Sequence, residues 1–157
     1  MVKTLDEIPE LAEELYSSVA SSIETITFLS VENPDDVENK PEESGEYING
    51  SILIKTAPAM YSMELFVPQQ LLENISADIT VPGTESEAAG SIVIDVLLEL
   101  VNTISGCLMR TMEPQTGAYT LEIPEFEIGK PLSSSAFITQ KYIADSSFWI
   151  SVAITKI

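Results

Sequence analysis

Asp95, Glu99 and Asn102 stand four and then three residues apart in SIVIDVLLELVNTISGCLMR (91–110), a spacing that brings two carboxylates and a carboxamide onto one face of a helix. Asn102 cannot take a proton, so it is no general base. Its amide can hold a water through one acceptor and two donors. Glu99 can accept hydrogen bonds or pair with a cation. That combination suits a reaction limited by positioning, and phosphoryl transfer, with its loose transition state, is such a reaction. The same pattern also fits a plain solvated face, because any helix can expose three polar residues.

The helix that must position these groups is apolar nearly all round. At about 100° per residue, Ser91, Asp95, Glu99, Asn102 and Gly106 fall within an arc of roughly 80°. Ile92, Val93, Ile94, Val96, Leu97, Leu98, Leu100, Val101 and Ile104 cover the rest. Burial of those residues leaves the polar stripe as the wet face or the working surface.

Composition removes several function classes. The 157 residues include 25 acids against 7 basic residues, a formal net charge of -18, and no histidine. Without histidine there is no Ser-His-Asp or Cys-His arrangement and no imidazole metal ligand. Thirteen of the acids lie in the first fifty residues, opposed by Lys3 and Lys40 alone. Binding to nucleic acid or to anionic lipid is disfavoured, since no basic stripe is available to displace counterions. Cys107 is the one cysteine and lies within the apolar helix, so neither a disulfide framework nor a metal-binding pair is expected. No bound metal or cofactor of the chain's own is expected. The opening MVKTLDEIPELAEEL lacks the basic start and apolar run of a secretory leader. Asp95, Glu99 and Asn102 interrupt the only stretch approaching a membrane span. A soluble, cytoplasmic chain of one domain, 1–157, is the expectation.

The elements follow from periodicity and breakers. Apolar positions at helical spacing run from Leu5 through Ile23, giving a first amphipathic helix over 5–25. Residues 25–31 are rich in β-formers, and 32–46 is a polar, acidic loop. Residues 47–56 and 60–66 read as two strands, and Pro68 opens a short helix. Thr84 with Glu87 forms a capping-box pattern that starts the long helix near 85, and Glu113-Pro114 should end it. Tyr119, Leu121 and Ile123 alternate with polar residues, then the apolar phase switches to Phe126 and Ile128, which places a bulge or an edge at Pro124. Residues 136–144 and 148–157 give two more strands, turning at Asp145-Ser146. The long apolar last strand, if it lay at an edge, would need a partner or cover. The expected architecture is α/β (α+β): about six mainly antiparallel strands with two long helices and one short one.

DVLLELVNTISG (95–106) resembles the active-site helix of the CheX/CheC/FliY chemotaxis phosphatases: Asp or Ser, three residues, Glu, two residues, Asn, then a downstream proline. Pro124, in IPEFEIGK, stands in that place. ETITFLSVE, GEYINGSILIK and the carboxy-terminal hairpin also resemble a CheX-like protein, so the similarity extends over most of the chain. The resemblance implies a CheC-like fold and a phosphatase acting on the phospho-aspartate of a CheY-like response regulator. It gives Asn102 the role of orienting the attacking water and Glu99 that of reaching the regulator's lysine. Asp95, Ser91, Gly106 and Pro124 would support the site or the partner. Magnesium would belong to the regulator, and a homodimer is implied. CheC-like members carry two such motifs, whereas the first helix here offers Glu10, Glu14 and Ser17, so one site per chain is expected. Leu98 stands where small residues are common in the family. An alternative is a non-catalytic regulator-binding or flagellar-switch adaptor of the same fold.

Overall fold

The computed structural model describes residues 1–43, 45–79 and 86–157, with the backbone alone at 79 and 86–89. The expected capping box at Thr84 lies outside the described residues. Three α-helices lie among them, α1 (Leu11–Thr27), α2 (Gln69–Ile79) and α3 (Ser86–Thr116). Seven strands accompany them: β1 (Val31–Glu32), β2 (Tyr47–Thr56), β3 (Met60–Pro68), β4 (Tyr119–Leu121), β5 (Glu125–Ile128), β6 (Ile138–Ala144) and β7 (Phe148–Lys156). The strands form one antiparallel sheet in the order β1-β6-β7-β3-β2-β4, with β5 also paired to β2. The expected mixture of long helices and antiparallel strands is present, with seven strands where six were expected.

The first helix is shorter at its start and longer at its end than periodicity predicts. Residues 5–7 form a 3-10 turn, and Ile8 is extended because Pro9 follows it. The α-helix runs on through the β-formers to Thr27, since Ile23 is buried and Ile26 packs against the core. Phe28 then caps it in the left-handed conformation, its N–H donating to the carbonyl of Glu24 at 2.9 Å. Only Val31–Glu32 remains as strand. The long helix passes Pro114 and ends at Thr116, where Gly117, at φ 78°, donates to the carbonyl of Glu113 at 2.8 Å. A proline in the last turn removes one donor without breaking the helix.

The helix side of the sheet holds the core. Ile48, Ile52 and Ile54 of β2 and Met63 and Leu65 of β3 meet Leu97, Leu100, Val101 and Ile104 of α3, all at most 3% exposed. By length and composition Gly90–Thr116 is apolar enough to cross a membrane, contrary to the sequence expectation. In this fold half of its most apolar window is buried against the protein itself. β7 lies between β6 and β3, so the last strand is no edge. Its apolar character comes from burial within the sheet, and the condition under which it would need a partner or cover, an edge position, is not met.

Gly50 sets the approach of α3 to the sheet. A Cβ there would stand 2.7 Å from Cγ2 of Val101 and 3.0 Å from Cγ of Leu97. Gly50→Ala is therefore expected to destabilise the fold by about 1–3 kcal/mol, read as a lower urea midpoint at an unchanged slope. Gly106→Ala is the control. Its Cβ would meet Nη1 of Arg110 at 3.7 Å and Cδ1 of Leu121 at 3.9 Å, ordinary contacts, so no loss of stability is expected.

Candidate functional site

Burial of Leu97, Leu100, Val101 and Ile104 turns the opposite face of α3 outward, and Asp95, Glu99 and Asn102 are exposed on it. Facing them across a cleft of about 510 Å³ is the connection between β4 and β5, so that Leu98 joins the three polar residues on one wall and Leu121, Glu122, Ile123 and Pro124 form the other.

A β-bulge shapes the second wall. Leu121 pairs with Ile54 and Glu125 with Ser51, leaving three residues on this strand opposite two on β2. The extra residue reverses the apolar phase, so Tyr119 and Leu121 before it and Phe126 and Ile128 after it fall on the helix side. The connection is pinned to β2 as well. The N–H of Glu122 donates to the carbonyl of Leu53 at 3.0 Å, and its carboxylate pairs with Nζ of Lys55 at 2.6 Å.

Three carboxylates line the cleft, and the lysine neutralises only that of Glu122. Glu99 accepts one hydrogen bond at Oε1, from Oγ1 of Thr103 at 3.3 Å, which leaves Oε2 open to a cation. The carboxamide of Asn102 bonds to none of the described side chains or carbonyls. Beneath it, Oγ of Ser105 donates to the carbonyls of Val101 and Asn102, tying down the turn from within. One wall thus offers an uncommitted amide one helical turn from an uncommitted carboxylate oxygen, both on a rigid, buried helix. The arrangement can hold a water and a cation on another molecule. Among the described residues there is no cluster of three metal-ligating side chains.

Of the site residues read from sequence, the fold brings together Asp95, Glu99, Asn102 and Pro124. Ser91 is exposed a turn before Asp95 and lies off the cleft, and Gly106 is buried beside Leu121, outside it. Just before α1, Glu10 accepts from Nε2 of Gln115 at 2.8 Å, and on the helix Glu14 and Ser17 line a different cleft with Tyr16 and Tyr142. Glu122, Ile123 and Lys55 were not singled out by sequence. The switch of apolar phase at Pro124 was the available signal.

No protein-family model matches the chain, and no curated protein is similar to it in sequence. Solved structures do match over nearly its whole length. The chemotaxis protein CheX from Desulfovibrio desulfuricans superposes with a TM-score of 0.69 at 11% identity, covering 94% of this chain and 99% of that one. CheX in the CheX-CheY-BeF3-Mg2+ complex from Borrelia burgdorferi gives 0.66 at 13% identity, over 92% and 96%. A CheC-like superfamily protein from a Shewanella species, strain PV-4, gives 0.64 at 15% identity, over 94% and 98%. The chain has the CheC-like α+β fold that these chemotaxis proteins share.

Proposed function

We propose that this chain accelerates hydrolysis of the phospho-aspartate of a CheY-like response regulator. The observation that carries the reading is the uncommitted carboxamide of Asn102, one turn from Glu99 and facing Pro124 across an open cleft. α3 enters the regulator's phosphorylation pocket, and Oε2 of Glu99 meets the regulator's lysine. The amide of Asn102 holds a water in line with the acyl phosphate. Water attacks phosphorus, the bond from phosphorus to the aspartyl oxygen breaks, and inorganic phosphate leaves with the water's protons. A loose transition state asks little of a base, which fits an amide that can only position. Magnesium is the regulator's. This chain binds no cofactor in the proposed reaction.

The reading draws support from the CheX of Borrelia burgdorferi, a structural neighbour crystallised with CheY, BeF3 and Mg2+. It also accounts for the shape of the site, which is convex on its helix wall and too open to enclose a small substrate. The test uses a regulator charged by acetyl phosphate, with this chain added in catalytic amounts. Multiple turnovers of acyl-phosphate loss are expected, and decay no faster than that of each regulator alone would refute the reading. A homodimer belongs to the same proposal. Light scattering should then return twice the chain mass of 17.1 kDa, and a mass of one chain would refute that part.

A further inference from the structure

Ile123 lies at the mouth of the cleft and is 85% exposed, while Ile48, Ile52 and Ile54 on the neighbouring strand are at most 3% exposed. A branched aliphatic side chain in this position contributes nothing to the core and leaves its apolar surface in water. The bulge holds it there. Leu121 and Glu125 are both paired to β2, Glu122 is fixed through its N–H and through Lys55, and Pro124 restricts the next φ. Leu98 stands half-buried on the opposite wall, next in sequence to Glu99. The cleft therefore joins an apolar lip of Ile123, Pro124 and Leu98 to two carboxylates, Asp95 and Glu99, that no lysine or arginine among the described residues pairs.

We propose that Ile123, backed by Leu98, is the docking contact for an apolar side chain that the regulator carries beside the lysine met by Glu99. This rests on the function proposed above and specifies the partner surface: a cation with an apolar neighbour. Asp95 and Glu99 call for a cation on the partner, which favours a regulator's lysine over a second copy of this chain with its 7 basic residues against 25 acids. A rigidly held apolar group spends little entropy on docking. Ile123 touches no reacting atom, so its effect falls on binding and leaves the chemical step alone.

The experiment compares wild type, Ile123→Ser and Ile123→Leu for steady-state dephosphorylation of the charged regulator, and for Kd against the same regulator carrying beryllium fluoride. Ile123→Ser should raise KM and Kd about tenfold, the size expected for burying one aliphatic side chain, with kcat within about twofold. Ile123→Leu should stay close to wild type. Unchanged KM and Kd in Ile123→Ser would overturn the docking contact while leaving the proposed activity standing. Unchanged Kd with a halved mass in light scattering would overturn it too, by assigning Ile123 to self-association. Wild type that neither binds nor dephosphorylates any regulator would overturn the inference together with the function it rests on.

Discussion

Asn102→Ala is expected to slow acyl-phosphate loss from the saturated complex by about 100-fold or more, the cost of removing one group that holds the reacting water in a preorganised site. Among the described residues the carboxamide has no hydrogen-bonded role in the fold. It is exposed and bonds to no described residue, and the turn beneath it is held by Ser105 through backbone carbonyls. Thermal stability should be unchanged, and affinity for the charged regulator should stay within about threefold, because one small amide is a minor share of a protein interface. Asn102→Asp should be as slow as Asn102→Ala, since it exchanges two donors for a charge beside the phosphoryl oxygens. Stopped-flow decay of the charged regulator, with a melting curve for each variant, checks all of this. A variant that melts early, or binds weakly, would show that Asn102 supports structure instead.

Glu99→Ala should act mainly on docking. Truncating one partner of a hydrogen-bonded charge pair leaves the other charge unpaired, and a loss of about 30-fold or more in affinity follows. The rate should fall as well, because an α3 no longer anchored one turn away presents Asn102 less accurately. The intramolecular loss is small, one 3.3 Å hydrogen bond from Thr103 at an exposed position. Truncating the regulator's lysine should cost about as much, and the two changes together little more than either alone. Additive losses would place the lysine elsewhere.

The polar stripe was legible from sequence because a buried helix fixes side-chain direction by its period, and Asp95, Glu99 and Asn102, which interrupt the apolar run, are exposed together on one face. The bulge was legible for the same kind of reason, since a switch from odd to even apolar positions requires an extra residue if those side chains are to stay on one face of the sheet. The turn at Asp145 and Ser146 is also as expected, with φ of 53° and 57°. Ser91 and Gly106 were drawn into the stripe because a wheel projection ignores the axis. Each lies one turn, about 6 Å of rise, beyond the residues that line the cleft.

Other features depend on pairing between distant segments and carried no local signal. The central place of β7 is set by β3 and β6, and its apolar run, though that of a buried strand, does not say which strands flank it. Lys55 and Glu122 meet only because β4 is registered on β2. Residues 25–27 have strand propensity, yet packing of Ile23 and Ile26 keeps them helical, a case of tertiary contact overriding local preference.

The measurement that bears most directly on the account is the first-order rate constant for acyl-phosphate loss from a regulator saturated with this chain, beside the same constant with Asn102→Ala. The wild-type constant should lie well above that of the regulator alone and the Asn102→Ala constant close to it, with both proteins bound. Binding by both proteins with no acceleration by either would contradict it and leave an adaptor in place of a phosphatase.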